Sequence, residues 1–365
     1  MRIICTVTND LSHDQRMHRI CSSLQQAGHQ VQLVGRLLPT SMPLPDHPYV
    51  THRLRCRYTS GKLFYLEFNY RLYRYLNRQP VDVICAVDLD TLLPVTLLRS
   101  RQVRIVYDAH EWFSETPEVV NRPAIRGFWR QLGRWLVPKT DARYTVAPQL
   151  ARLLAEDYDA PFSVIRNLPV KENILNKENF GGVILYQGML NPGRGVETAI
   201  ATLTLLPECK LWIVGSGPEE ESLKRLTATL ELTDRVWFAG FHPPAKLPEI
   251  TAKAWLGINL LADSSPSYYY SLANKALDYI QAGLPSIQMD YPEYRSINEQ
   301  YGVFELLTKL TAAGLAAPIQ RLLDHPEAYT RLRENCRVAA EELCWEREEG
   351  KLLKIYSAIE ASLPD

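Results

Sequence analysis

VILYQGMLNPGRGVETAI, residues 183–200, opens as an apolar run, breaks at Gly188, turns through Asn191, Pro192 and Gly193, and resumes near Val196 as a helical pattern. A buried strand, a glycine turn and a helix in direct succession make the first half of a βαβ unit. KLWIVGSGPEEESL, residues 210–223, repeats the pattern with Gly215, Gly217 and Pro218 at the turn. Its acidic run Glu219–Glu221 suits the positive end of a helix. Working outward, RVWFAG (235–240), LGINLLA (256–262) and PSIQMD (285–290) read as further buried strands. In the first half RIICTV (2–7), QVQLVG (30–35), VDVICAV (81–87), VRIVYDA (103–109) and RYTVA (143–147) do the same. Amphipathic segments at 14–27, 62–78, 194–206, 219–230 and 245–254 lie between them. Regular alternation of strand and helix predicts an α/β fold of doubly wound parallel sheets. Such sheets hold ligands at the carboxyl ends of their strands.

The series restarts once. PFSVIRNLPVKENILNKENFGG, residues 161–182, is polar and carries Pro161, Pro169 and the Gly181-Gly182 pair, which places a linker near 167–180. The expected domains are 1–168 and 169–345, with a helix in 346–365 packing back on the first. At 365 residues the chain is long enough for two cores. Its 41 basic and 41 acidic residues balance, which removes any global argument for nucleic-acid binding. Seven scattered cysteines without a CxxC pair argue for reduced thiols and a cytoplasmic setting. The apolar start is too short for a signal peptide, and no stretch has a membrane helix's length.

Arg194 falls at a loop-to-helix junction, where unpaired N–H groups and a dipole end favour a diphosphate. The plain alternative is an ordinary helix start with a solvated arginine. SYYYSLANKALDYIQAGLP, residues 267–285, supplies another junction. Ser271 or Asn274 is expected to cap the helix bearing Lys275 and Asp278, with Asp278 one turn on from Asn274. A carboxylate there suits ribose hydroxyls. The alternative is a capped core helix with Lys275 in solvent. Three such junctions in one half favour a nucleotide-sugar cleft.

GRGVETAI, VGSGPEEESL, VWFAGF and SLANKALDYIQAGLP, in that order, resemble the carboxyl-terminal domain of retaining, family-four glycosyltransferases of the GT-B fold. VYDAHEWFSETPEV in the first half is similar to a motif at the cleft edge of that family. The resemblance implies two facing Rossmann-like domains, with a nucleotide-diphosphate sugar as donor substrate and no further cofactor. It implies that Arg194, on the turn of Gly188 and Gly193, holds phosphate. It also implies that Gly215 and Gly217 form a Gly-x-Gly-Pro turn, that Phe238 to Phe241 line the base, and that Asp278 holds ribose. Two positions depart from the pattern: Tyr270 stands where a first acid belongs, and Met189 where many members carry a basic residue. The SLxNK spelling marks a variant branch, in which Lys275 is a candidate to replace the missing charge.

Asp108, His110 and Glu111 follow a buried strand, so they sit on a carboxyl-end loop. A lone histidine is more often structural; the flanking acids and the resemblance give His110 a role near the reacting sugar carbon, while Asp108 and Glu111 equally suit bracing. TNDLSHDQRMHRI, residues 8–20, follows the first strand and carries a polar loop and Arg16 and Arg19 on one helix face; His13 and His18 stay unassigned. Asp88-Leu89-Asp90 matches the metal-holding DxD of other folds, but its place opposite the donor argues against metal. Two aromatic-basic helices, around 62–79 and 125–139, suit either core packing or peripheral contact with an anionic membrane. The function expected is metal-independent, retaining sugar transfer to a glycan, lipid-linked or small-molecule acceptor. The rivals are a nucleotide-sugar epimerase and an inactive nucleotide-sugar-binding member.

Overall fold

The computed structural model describes residues 1–12, 14–39, 41–99, 102–171 and 181–363. His13 and the 172–180 part of the expected linker lie outside them. The chain divides into two compact units, Met1–Asn167 with Glu348–Asp365, and Leu168–Arg347.

The first unit runs β1 (Arg2–Thr6), α1 (Gln15–Gln26), β2 (Gln30–Leu37), β3 (Val50–Arg55), α2 (Gly61–Leu76), β4 (Val83–Val87) and α3 (Asp88–Thr96). It continues β5 (Arg104–Ala109), α4 (Pro117–Val120), α5 (Pro123–Leu136), β6 (Ala142–Thr145), α6 (Pro148–Tyr158) and β7 (Ser163–Val164). All strand pairs are parallel, in the order β3-β2-β1-β4-β5-β6-β7. β4 is buried along its whole length, as an apolar strand covered on both faces must be. The order reverses between β1 and β4, so the loops leaving those strands part and open a crevice.

The second unit runs β8 (Val183–Gln187), α7 (Val196–Thr202), β9 (Lys210–Val214), α8 (Glu220–Thr229), β10 (Val236–Gly240), α9 (Leu247–Thr251) and β11 (Leu256–Asn259). Then follow α10 (Pro266–Tyr269), α11 (Asn274–Gln281), β12 (Ser286–Met289), α12 (Pro292–Tyr301), β13 (Phe304–Leu307), α13 (Ala312–Asp324), α14 (Pro326–Glu342) and α15 (Trp345–Glu360). Its parallel sheet, β10-β9-β8-β11-β12-β13, reverses between β8 and β11. Tyr279 of α11 is fully buried, and its hydroxyl reaches the Leu185 and Ile258 carbonyls at 3.2 and 3.3 Å, across that reversal. The close packing requires Gly257, where a Cβ would lie 2.6 Å from the Tyr279 ring.

α15 begins in the second unit and ends in the first. There Leu352 and Tyr356 are fully buried, and Glu349 accepts a hydrogen bond from Ser23 at 2.8 Å.

The two aromatic-basic helices resolve differently. α2 buries Phe64, Phe68, Leu72 and Leu76 and leaves Tyr70 exposed. On α5 the arginines are already engaged: Arg126 pairs with Glu115 at 2.7 Å, and Arg130 and Arg134 both reach Asp157 at 2.9 Å. Phe128 and Trp135 remain exposed, with the Lys139 ammonium 4.0 Å from the Trp135 ring centre. Among the described residues no helix is long and apolar enough to cross a membrane.

Candidate active site

In the second unit the chain leaves β8 through Gly188 at φ 136°, then Gly193 at 77° and Gly195 at 68°, before α7. Gly195 is the residue that caps α7, and a Cβ there would lie 2.4 Å from the Leu260 carbonyl oxygen. The turn after β9 is pressed onto this one. A Cβ on Gly215 would fall 1.9 Å from the Gly188 oxygen, and one on Gly217 2.6 Å from the Leu190 oxygen. Leu190 N–H donates to Ser216 at 3.0 Å, and Gly215 N–H to Gly240 at 2.8 Å. The backbone closeness of Gly215 and Gly217 therefore serves loop-on-loop packing. Phe238 is half-buried within β10, opposite Ile213, while Phe241 is exposed just beyond it. Met189 is exposed as well.

The capping expectation at α11 is overturned. The N-cap is Ala273, with no side-chain cap bond, and Asn274 is the first helical residue. Ser271 donates backward to the Tyr268 carbonyl at 2.8 Å, because α10 ends immediately before it; Ser265 caps that short helix. The Ala273 N–H is satisfied by the Tyr294 hydroxyl at 3.0 Å.

Lys275 is buried, not solvated. Its Nζ lies 3.9 Å from the centre of the Tyr186 ring and flanks Gly188. Burial, then the nearby Arg194, drive its pKa well below the ordinary lysine value, against the pull of Asp278. The Arg194 guanidinium stacks 4.8 Å from the Tyr268 ring centre, and its buried Nε has no hydrogen-bond partner among the described residues. Asp278 accepts a hydrogen bond from Gln187 Nε2 at 3.2 Å, and Gln187 Oε1 accepts one from Thr251 at 2.9 Å. Gly188, Arg194, Lys275 and Asp278 are thus brought together at the sheet's reversal. Tyr270 packs edge-on against Tyr269 at 4.9 Å. Tyr186, Gln187 and Tyr268 belong to the cluster. Tyr186 and Gln187 lie in what reads simply as a buried strand; Tyr268 is the first of the three tyrosines, 268–270, that stand ahead of α11 in the sequence.

In the first unit, His110 follows β5. Its Nε2 is 3.1 Å from Asp108 Oδ2, and its backbone N–H donates to Asp88 Oδ1 at 2.9 Å. Asp108 is fully buried and held by Arg16 at 2.8 Å, so it braces the loop. Burial alone would lower the imidazole, but Asp108 and then Asp88 outweigh it and raise the pKa to about 9. Asp88, pushed up to about 8 by burial, sits at φ 56°, a left-handed conformation rare outside glycine. Asp90 is also driven up by burial, to about 6, and accepts a 2.6 Å bond from Thr8. Arg16, expected on a helix face beside the polar loop, is buried under it; Arg19 reaches Asn167 at 2.5 Å. His18 stacks on His47 at 4.4 Å, and Glu111 is exposed. Among the described residues no group of three or more His, Cys, Asp or Glu side chains is arranged to hold a metal.

Two doubly wound parallel sheets, each with its loops gathered at a strand-order reversal, define the GT-B architecture. Residues 169–339 match the model for glycosyl transferases group 1, and residues 14–168 match that for Glycosyltransferase Family 4. The two matches adjoin, each covering less than half of the chain and together spanning most of it. Sucrose-phosphate synthase from Thermosynechococcus elongatus superposes with a TM-score of 0.79 at 19% identity, over 99% of this chain and 100% of that one. Anabaena HepE in complex with UDP and glucose superposes at 0.76 and 14% identity, over 98% and 99%. At these identities the likeness is one of fold. The alpha-D-kanosaminyltransferase of Streptomyces kanamyceticus is 26% identical over 42% of this chain and 39% of its own length. The lipopolysaccharide core biosynthesis glycosyltransferase LpsD of Rhizobium meliloti is 30% identical over 41% of each chain. The chain spans about two fifths of the length of the curated relatives it matches.

Proposed function

We propose that the chain transfers a sugar from a nucleotide-diphosphate sugar to a hydroxyl acceptor, with retention of configuration and without a metal. The observation that carries this reading is the pairing of buried Lys275 with Arg194 beside the glycine turn of Gly188. Two cations kept close in a site of low polarity repel each other, and a diphosphate relieves that repulsion. Charge grows on the diphosphate as the glycosidic bond breaks, so cations fixed in advance lower the barrier. Asp278 suits ribose hydroxyls, and Phe238 and Phe241 suit the base. The leaving phosphate oxygen takes the acceptor's proton, so no protein nucleophile is needed. His110 donates to the donor sugar or the acceptor near the reacting carbon. The acceptor is a glycan, a lipid-linked sugar or a small molecule; a relative named for lipopolysaccharide core biosynthesis supports the first two. Exposed Phe128 and Trp135, with half-buried Lys139 over the Trp135 ring, are the residues that peripheral contact with a membrane would use.

Incubating the purified chain with nucleotide sugars, with and without acceptors, tests the proposal. Transfer only when acceptor is present supports it, turnover of donor alone favours an epimerase, and tight binding without turnover favours an inactive member. His110→Ala is expected to lower turnover roughly ten- to hundredfold, the worth of a charge-assisted hydrogen bond, with nucleotide affinity nearly intact. Equal turnover would remove His110 from the chemistry.

Lys275 provides a pH test. Its pKa is depressed in the free protein, and phosphate favours the charged form, so binding should draw in a proton at pH values between the free and the phosphate-bound pKa. Calorimetry in buffers of different ionisation enthalpy reads that uptake across alkaline pH. Identical heats in every buffer would contradict it.

A further inference from the structure

We propose that Arg16 and Asp108 are positioning residues for His110: the guanidinium fixes the Asp108 carboxylate, the carboxylate fixes the ring through Nε2, and Nδ1–H is left to meet the substrate. The inference rests on the transferase reading above.

Asp108 stands in β5 with no exposed surface, and both its oxygens are committed. Oδ1 accepts from one terminal nitrogen of Arg16 at 2.8 Å; Oδ2 accepts from Arg16 Nε at 3.2 Å and lies 3.1 Å from His110 Nε2. The remaining Arg16 nitrogen donates to the Ile165 carbonyl at 2.9 Å, which ties the fork to backbone just past β7. A planar guanidinium held at three points leaves the carboxylate one orientation. From the other side, Asp88 accepts the His110 backbone N–H. Its second oxygen is 4.0 Å from Nδ1, an ion-pair separation too long for a hydrogen bond. Among the described residues Nδ1 therefore has no hydrogen-bond partner, on a side chain that is 21% exposed.

A buried Arg–Asp pair alone would satisfy the needs of packing. The third link, to a partly exposed imidazole on a carboxyl-end loop, has no packing purpose. The charged groups around the ring are Asp108 from β5, Asp88 and Asp90 from α3, Arg16 from α1, and Glu111 beside it. The carboxylates keep the ring protonated at neutral pH, so it acts as a fixed donor and not as a base.

The test is the His110 titration in the ligand-free protein, read by NMR of its ring protons and assigned by the signal lost in His110→Gln. In the parent the ring should titrate near 9, and in Asp108→Asn near 6.5 or below. Turnover of Asp108→Asn should fall roughly tenfold or more with nucleotide affinity unchanged, since only orientation is lost. Removing one partner of a buried pair can unfold a protein, so Arg16→Gln with Asp108→Asn, which leaves no unpaired charge, is the second variant. An unmoved titration in either folded variant overturns the relay. If the titration falls as expected while the parent transfers no sugar, the relay stands and the transferase reading fails. If the parent transfers and the titration does not move, the reverse holds.

Discussion

Arg194→Ala is expected to weaken nucleoside-diphosphate binding by about 1.5–3 kcal/mol, roughly ten- to hundredfold in affinity. The guanidinium is carried on the last loop residues before α7, where the glycines hold the backbone and Tyr268 supports the cation from one face. Its Nε has no hydrogen-bond partner among the described residues, so a donor is available to an incoming phosphate oxygen. The protein itself loses only the cation–π contact, worth about 0.5–1 kcal/mol at a partly exposed site. Folding and binding should therefore respond unequally: a small shift in melting temperature beside a large drop in affinity by calorimetry. An unchanged affinity would take Arg194 out of the phosphate site.

Gly215→Ala should produce the larger loss of stability, about 3 kcal/mol or more. Its φ of 145° lies in a region that L side chains rarely adopt, and the added methyl would occupy space already filled by the Gly188 carbonyl. The obstacle is backbone, so no side chain can swing away. Either β9 parts from β8 at its carboxyl end or the Gly188 turn shifts. The second outcome moves the ground on which Lys275 rests, so nucleotide affinity should fall with the denaturation midpoint. Urea titration of the variant measures the first, and calorimetry on the folded fraction the second. A midpoint equal to the parent's would show that the two turns are not interlocked.

The alternation of strands and helices was legible because buried parallel strands are written as continuous apolar runs, as in VILYQ and VICAV. Elements that break this rule were missed. β3, spelled VTHRLR, is a polar edge strand; β7 has only two residues; β13 follows a helix whose polar surface hides it. The site was legible where local chemistry is explicit, in the glycine turns and at Arg194. It was misread where one residue's partner lies far along the chain. The Ser271 hydroxyl looked like a cap because nothing nearby in sequence shows that α10 ends just before it. Of the two readings of Lys275, the solvated one fails, and its burial was not legible because the aromatic ring it lies on comes 89 positions earlier, at Tyr186 (275 − 186). Arg16 and Asp108 are 92 positions apart, and neither alone announces the pair.

α15 starts in one unit and finishes in the other, and this bears on the order in which a ribosome can complete them. The second unit has its whole sequence, Leu168–Arg347, before the last helix is made. The first must wait for Glu348–Asp365, because Leu352 and Tyr356 fill its interior and Arg104 reaches the Ser362 carbonyl at 2.6 Å. The half translated first is therefore the half that matures last, and a nascent chain stalled before residue 348 would carry an open N-terminal core beside a finished neighbour.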